Sequence, residues 1–301
     1  MSHIVGIAGG TGGLGRALVD ALKNSPHKPI VLARQANPEL ETQIGVPVLQ
    51  APYSDQDAFV KLLEEHKIDT IISTISNYGN SHSTEISIIE AAELSGVTKR
   101  YIPSIWSAFD YTLRNTKTLE WTAIFPGVFL DYYTLTRPSY TKRTALALDV
   151  DNNAAAIPGD GTYPVYFTHT TDVARYTAAL LGLDRWESEK HFVFADQKTW
   201  NEVLELAESA KGVKFDVVYD EVEKLRRGEM TLLPGQEAVV RLFYGGDGDE
   251  EEAKAAFRKT MAGVAAYMAE GQMVYDGRVL LNEIFPDIKA LTVREALIES
   301  S

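Results

Sequence analysis

The 301-residue chain contains no cysteine. That absence removes disulfides, thiolate nucleophiles and cysteine-ligated zinc from consideration, and it is compatible with a reducing compartment. Basic residues are in the minority: 29 Lys and Arg stand against 42 Asp and Glu, a formal net charge of −13. Such a balance argues against direct, nonspecific gripping of nucleic acid phosphates. No run of about 18 apolar residues occurs, so no segment reads as a membrane span. The opening Met1-Ser2-His3-Ile4-Val5-Gly6-Ile7-Ala8 has no basic leader and no cleavage-site pattern. It reads as a strand of a cytoplasmic protein rather than a targeting signal. The six histidines lack metal-ligand spacing, and no metal is expected. Also missing is Tyr-x-x-x-Lys, the spacing in which a lysine lowers a tyrosine's pKa for proton exchange with substrate oxygen.

What remains is an ordinary soluble composition, 45% hydrophobic and 24% charged. Short β-branched apolar runs at Ile4–Ala8, Pro29–Ala33, Val46–Gln50, Thr70–Ser76, Arg100–Pro103 and Trp121–Phe125 alternate with helix-like stretches. That rhythm predicts an α/β fold with a doubly wound parallel sheet and crossover helices. Leu14, Leu18 and Leu22 share one helical face, as do Phe59, Leu62 and Leu63. After Tyr133 the pattern turns to loops rich in Asn, Pro and Gly, which predicts a first domain over residues 1–133 and a smaller α+β region over 134–301. A helix over 171–182 is expected to return to the first domain. Further helices are expected at about Trp200–Lys211 and Glu251–Met268, and strands at His191–Ala195 and Lys214–Tyr219.

The chemistry-bearing motif is Gly9-Gly10-Thr11-Gly12-Gly13-Leu14-Gly15. Glycine-rich spacings are weak signals alone, but this one directly follows a predicted strand and opens a predicted helix. There glycines permit a tight turn, close pyrophosphate approach and close helix packing. The spacing is Gly-x-x-Gly-x-x-Gly, the variant of extended short-chain folds. At the end of the second strand, where an acidic residue would bind the ribose 2′-hydroxyl of NAD, the chain places Arg34. A guanidinium suits a 2′-phosphate through charge-assisted bonds, so NADP(H) is the expected cofactor. Ser76 after the fourth strand, and Pro103 and Ser104 after the fifth, are expected at the carboxyl edge where ligands bind.

Taken with these, Lys99-Arg100-Tyr101-Ile102-Pro103-Ser104, the run Trp121 to Tyr133, Phe167 to Arg175, Trp200-Asn201-Glu202-Val203 and Tyr219 to Leu225 resemble the NmrA-like and isoflavone-reductase-like family, in particular its fungal members. The resemblance covers nearly the whole chain. It implies an atypical short-chain dehydrogenase fold of Rossmann type, a smaller C-terminal substrate domain and NADP(H). It also implies reduction of a carbonyl, activated double bond or benzylic ether in a small aromatic metabolite. Some members of the family do no chemistry and report dinucleotide redox state to a transcription factor, which is the alternative reading.

Two departures concern catalysis. The family's Pro-Ser-Glu-Phe-Gly is replaced by Pro103-Ser104-Ile105-Trp106-Ser107. The family's catalytic lysine lies on a helix before the sixth strand, yet only Thr112 to Glu120 separates Tyr111 from Trp121, too little for the usual loop plus helix. Lys117 is the only lysine in that interval. Tyr132 and Tyr133, past the sixth strand, are the other candidate proton donors, and His169 is a weaker one.

Overall fold

The computed structural model describes residues 2–75, 82–104, 110–135, 137–243, 249–273 and 278–298. The chain divides into two units. The first comprises Met1–Phe125, Thr170–Val193 and Arg278–Lys289.

In the first unit, β1 (Ile4–Ala8), β2 (Lys28–Ala33), β3 (Val48–Gln50), β4 (Thr70–Ser73), β5 (Arg100–Ile102) and β6 (Glu120–Trp121) form one parallel sheet. Their order is β3-β2-β1-β4-β5-β6. This is the Rossmann-type doubly wound arrangement expected from the alternating pattern. The winding reverses between β1 and β4, which opens a crevice outside their carboxyl ends. The crossovers carry α1 (Gly13–Lys23), α2 (Pro38–Ile44), α3 (Gln56–Glu65), α4 (His82–Ser95) and α5 (Asp110–Arg114). A parallel sheet needs cover on both faces, and Leu18 and Leu22 of α1 and Phe59 and Leu63 of α3 are buried in supplying it. Asp55 caps α3 by accepting from the Ala58 amide at 3.0 Å.

The expected sixth strand is split. Glu120–Trp121 pairs with β5, whereas β7 (Ala123–Phe125) joins a separate parallel sheet with Lys190–Phe192 and Val279–Leu280, which are β12 and β15 in chain order. The hinge is Thr122, fully buried, with its Oγ1 2.7 Å from Nδ1 of His191. Burying that hydroxyl requires a partner, and the partner lies on β12, off the main sheet. Helix α6 (Thr170–Leu181) packs on α1 within this unit.

The second unit comprises Pro126–His169, Phe194–Gly277 and Ala290–Ser301. It is an α+β body with two three-stranded sheets. One contains β8 (Val128–Phe129), β11 (Pro164–Thr168) and β13 (Asp196–Thr199); the other contains β9 (Leu148–Asp149), β10 (Ala154–Pro158) and β14 (Asp216–Asp220). Its helices are α7 (Trp200–Lys211), α8 (Val222–Arg226), α9 (Glu237–Phe243), α10 (Glu250–Ala269) and α12 (Val293–Ile298). The short α11 (Leu281–Ile284) belongs to the first unit. Thr199 and Glu202 start α7 with a reciprocal capping box, and Gly212 ends it in the left-handed conformation.

The division falls at Phe125, earlier than the Tyr133 boundary read from the loops. Val128 and Phe129 pair with β11, and the ring of Tyr133 packs against Phe167 and Trp200 in the second unit's core. Among the described residues, no helix is long and apolar enough to cross a membrane.

Candidate functional site

The glycine turn begins one residue past β1. Gly9 has φ +79°, and a Cβ there would stand 2.8 Å from Oγ1 of Thr74, so both backbone conformation and space require glycine. Gly12 donates from its N–H to the Gly9 carbonyl at 2.9 Å, closing the turn. At Gly15 a Cβ would meet the same carbonyl oxygen at 2.3 Å, which fixes how closely α1 approaches β1. Gly12 is different. Its backbone is extended, its added Cβ would touch nothing nearer than 3.4 Å, and it is exposed along with Thr11.

Gly12 is also the N-cap of α1 and supplies no capping side chain, and the helix's first turn holds no acidic residue. The first amides of a helix lack partners within it, and the helix dipole adds partial positive charge there. Gly13, Leu14 and Gly15 in that turn therefore form an anion-receptive end at the switch point of the sheet. Arg34 follows β2 directly and is exposed. Beneath it the Tyr53 hydroxyl donates to the Leu32 carbonyl at 2.9 Å. Burial, aided by Glu85, pushes that phenol well above its ordinary range despite the opposing charge of Arg34. Ala51 is buried at the end of β3, so no carboxylate stands there to repel a phosphate.

Pro103 and Ser104 end β5 on the same edge, but both are buried. Ser104 spends its donors inward: its N–H on Glu85 Oε1 at 3.2 Å and its Oγ on the Ile75 carbonyl at 2.8 Å. They form the floor of the edge rather than its displayed surface. Ser76 lies outside the described residues.

Glu85 lies in no motif, yet it organises this floor. It is fully buried on the first turn of α4, accepts from the Tyr101 hydroxyl at 2.9 Å and the Ser104 amide, and receives a hydrogen bond from Ser73. Burial raises its carboxyl above the ordinary range, against the pull of those three donors. A sequence signal exists. Glu85, Ile88, Ile89 and Ala92 fall at i, i+3, i+4 and i+7, so the carboxylate occupies the apolar stripe of its helix.

The four candidate proton donors fare differently. Lys117 is exposed in the turn before β6, with its amide donating to Glu93 Oε1 at 2.8 Å. Because β6 runs parallel to β1, that turn lies at the amino edge of the sheet, opposite the glycine turn, and Lys117 is corrected as a catalytic candidate. Among the described residues of this crossover the helix is α5, five residues long, and it carries no lysine. Tyr133 is likewise corrected. It is fully buried, donates to the Leu146 carbonyl at 2.6 Å, and burial drives its phenol far above the ordinary range. Tyr132 is half-buried in the second unit, edge-on to Phe129 and Tyr133. His169 is buried in the same unit, with Nε2 3.4 Å from Oδ1 of Asp131.

The NmrA-like family model matches residues 1–115. Over 304 residues the chain is 31% identical to the oxidoreductase BOA1 of Botryotinia fuckeliana (strain B05.10), covering 94% of this chain and 95% of that protein. The chain belongs to the NmrA-like, isoflavone-reductase-like family. The oxidoreductase swnN of Metarhizium robertsii is 30% identical over 282 residues, covering 78% of this chain and 82% of its own. Among solved structures, a ternary complex of leucoanthocyanidin reductase from Vitis vinifera superposes with a TM-score of 0.71 at 20% identity, over 97% of each chain. At that identity the likeness establishes a shared fold.

Proposed function

We propose that the chain is an NADPH-dependent reductase that delivers hydride to a small aromatic or conjugated carbonyl or enone metabolite. The observation that carries the reading is the glycine turn, where an exposed Gly12 and an uncapped α1 face the crevice at the switch point of the sheet. The amides of the first turn of α1 would hold the pyrophosphate, and Arg34 the 2′-phosphate. When bound, the dinucleotide supplies the hydride; the protein supplies binding, orientation and exclusion of competing reactions. The oxidoreductase names of the fungal relatives support a catalytic role, and a leucoanthocyanidin reductase of the same fold has been solved with NADPH.

The test is to titrate the purified protein with NADPH and NADH, then to add a panel of aromatic ketones and enones and follow the loss of NADPH absorbance. Selective NADPH binding with oxidation by at least one acceptor is expected. Tight binding with no acceptor reduced would instead favour a redox-sensing role, and equal binding of the two dinucleotides would remove the assignment of Arg34.

A further inference from the structure

We propose that Glu85 is the positioning residue of the dinucleotide site, a single carboxyl on α4 that holds the carboxyl ends of β4 and β5 in the shape the ligand needs. This rests on the cofactor reading above and deepens it.

The bonds form a continuous path to the glycine turn. Glu85 accepts from Ser73, the last residue of β4. The next residue, Thr74, donates to the Ala8 carbonyl twice, from its amide at 2.8 Å and from Oγ1 at 2.9 Å. Thr74 is also the residue against which Gly9 packs, since a Cβ on Gly9 would meet its Oγ1 and carbonyl. On the other side, Glu85 Oε1 takes the Ser104 amide and the Tyr101 hydroxyl, and Ser104 Oγ then donates to the Ile75 carbonyl. Thr74 and Ile75 are thus held from both flanks, and both flanks answer to one side chain. A neighbouring contact extends the hold to a third strand end: Ser87, two residues on along α4, donates to the Tyr53 carbonyl at 2.9 Å, and Tyr53 is the residue bonded to Leu32 below Arg34.

A carboxyl serves here because its two oxygens accept separately, Oε1 from β5 and Oε2 from β4. Glutamine keeps this geometry with one bond reversed: its carbonyl accepts from Tyr101 and Ser104, and its amide donates to Ser73. Leucine has the right bulk and none of the bonds, leaving the Ser104 amide and Ser73 hydroxyl buried without their partner.

The experiment compares E85Q and E85L with the wild type, reading NADPH affinity by fluorescence titration and backbone exchange of the 70–75 and 100–104 segments. Expected is an NADPH Kd raised about tenfold or more in E85L, the scale of one or two lost buried hydrogen bonds. Exchange should be faster in both segments, and E85Q should stay within about threefold of wild type. An E85L protein that folds and binds NADPH as the wild type does overturns the proposal, even if exchange quickens. So does an E85Q protein as impaired as E85L. Should E85L fail to fold, S73A decides the matter: an NADPH Kd raised about threefold upholds the β4 arm, and an unchanged one removes it. A wild type that binds no dinucleotide takes away the cofactor reading itself, and this inference with it.

Discussion

Gly12 and Gly15 make opposite predictions, and the difference isolates ligand binding from folding. At Gly15 an added methyl would lie 2.3 Å from the Gly9 carbonyl oxygen, 2.7 Å from Gly10 Cα and 2.9 Å from the Gly9 carbonyl carbon. All three are backbone atoms that cannot rotate away. Restoring an ordinary contact means moving the first turn of α1 by about 1 Å, and overpacking of that kind costs about 1–3 kcal/mol. Gly15→Ala should therefore both destabilise the protein and weaken NADPH. At Gly12 the methyl would find nothing within 3.4 Å, and the backbone conformation is one any residue adopts. Gly12→Ala should cost no more than about 1 kcal/mol, the difference between glycine and alanine at an N-cap. On the proposed reading the phosphates approach this same position, and the loss of one or two charge-assisted bonds at about 1.5–3 kcal/mol each should raise the NADPH Kd tenfold or more, by roughly that energy. The assay is a melting curve of each variant without ligand beside a fluorescence titration with NADPH. If Gly12→Ala melts and binds as the wild type, the turn is a packing device and the phosphate assignment fails.

Three further outcomes are expected. Arg34→Ala should weaken NADPH by about tenfold or more while changing NADH by less than about twofold, since only the former carries the 2′-phosphate; equal losses in the two titrations would end its role. Lys117→Ala, at the amino edge of the sheet, should leave the NADPH oxidation rate within about twofold of wild type, and a loss on the order of a hundredfold, typical of a missing general acid, would reinstate it. His27 is buried and stacked on His3 at 5.4 Å, with its pKa lowered by burial first and by His3 second. The fold prefers its neutral form, so stability is fullest above the ordinary value of 6.5 and falls as pH drops from there to the folded-state pKa. Denaturant melts across that window should show a shallower acid loss in His27→Gln, and an unchanged slope would count against this source.

What was legible in the sequence was local. Strand, glycine turn and helix follow one another within Ile4–Lys23, and each is fixed by its own residues: buried β-branched side chains, a positive φ at Gly9, and leucines at a spacing of four. Helix α7 is equally local, because its capping box and its terminal glycine both lie within fourteen positions. The misreadings arose where a distant partner decides. Thr122 reads as one more β-branched strand residue, and only its bond to His191, 69 residues away, divides the sixth strand in two. Tyr133 follows a strand in the position of a cofactor-facing tyrosine, yet Leu146, Phe167 and Trp200 draw it into another core. Lys117 is a candidate only by its interval in the chain, and the parallel register puts that interval on the far edge.

Gly12 also distinguishes a binding turn from a packing turn on energetic grounds. A turn that only had to pack β1 against α1 would need Gly9 for its left-handed backbone and Gly15 for its closeness, and it would leave the N-cap position free to any residue. Chains generally use that freedom: serine, threonine, aspartate or asparagine at an N-cap satisfies an orphan amide. Asn37, Asp55, Thr199 and Asp249 do so at the starts of α2, α3, α7 and α10. At α1 alone among these five helices the cap is a glycine, forgoing a few tenths of a kcal/mol and leaving the amides open. The same first turn carries no acid, whereas α2, α3, α7 and α10 each carry at least one. Both omissions weaken the free helix and both favour an anion at its end, so a ligand that restores what the sequence leaves out is the economical account of the turn.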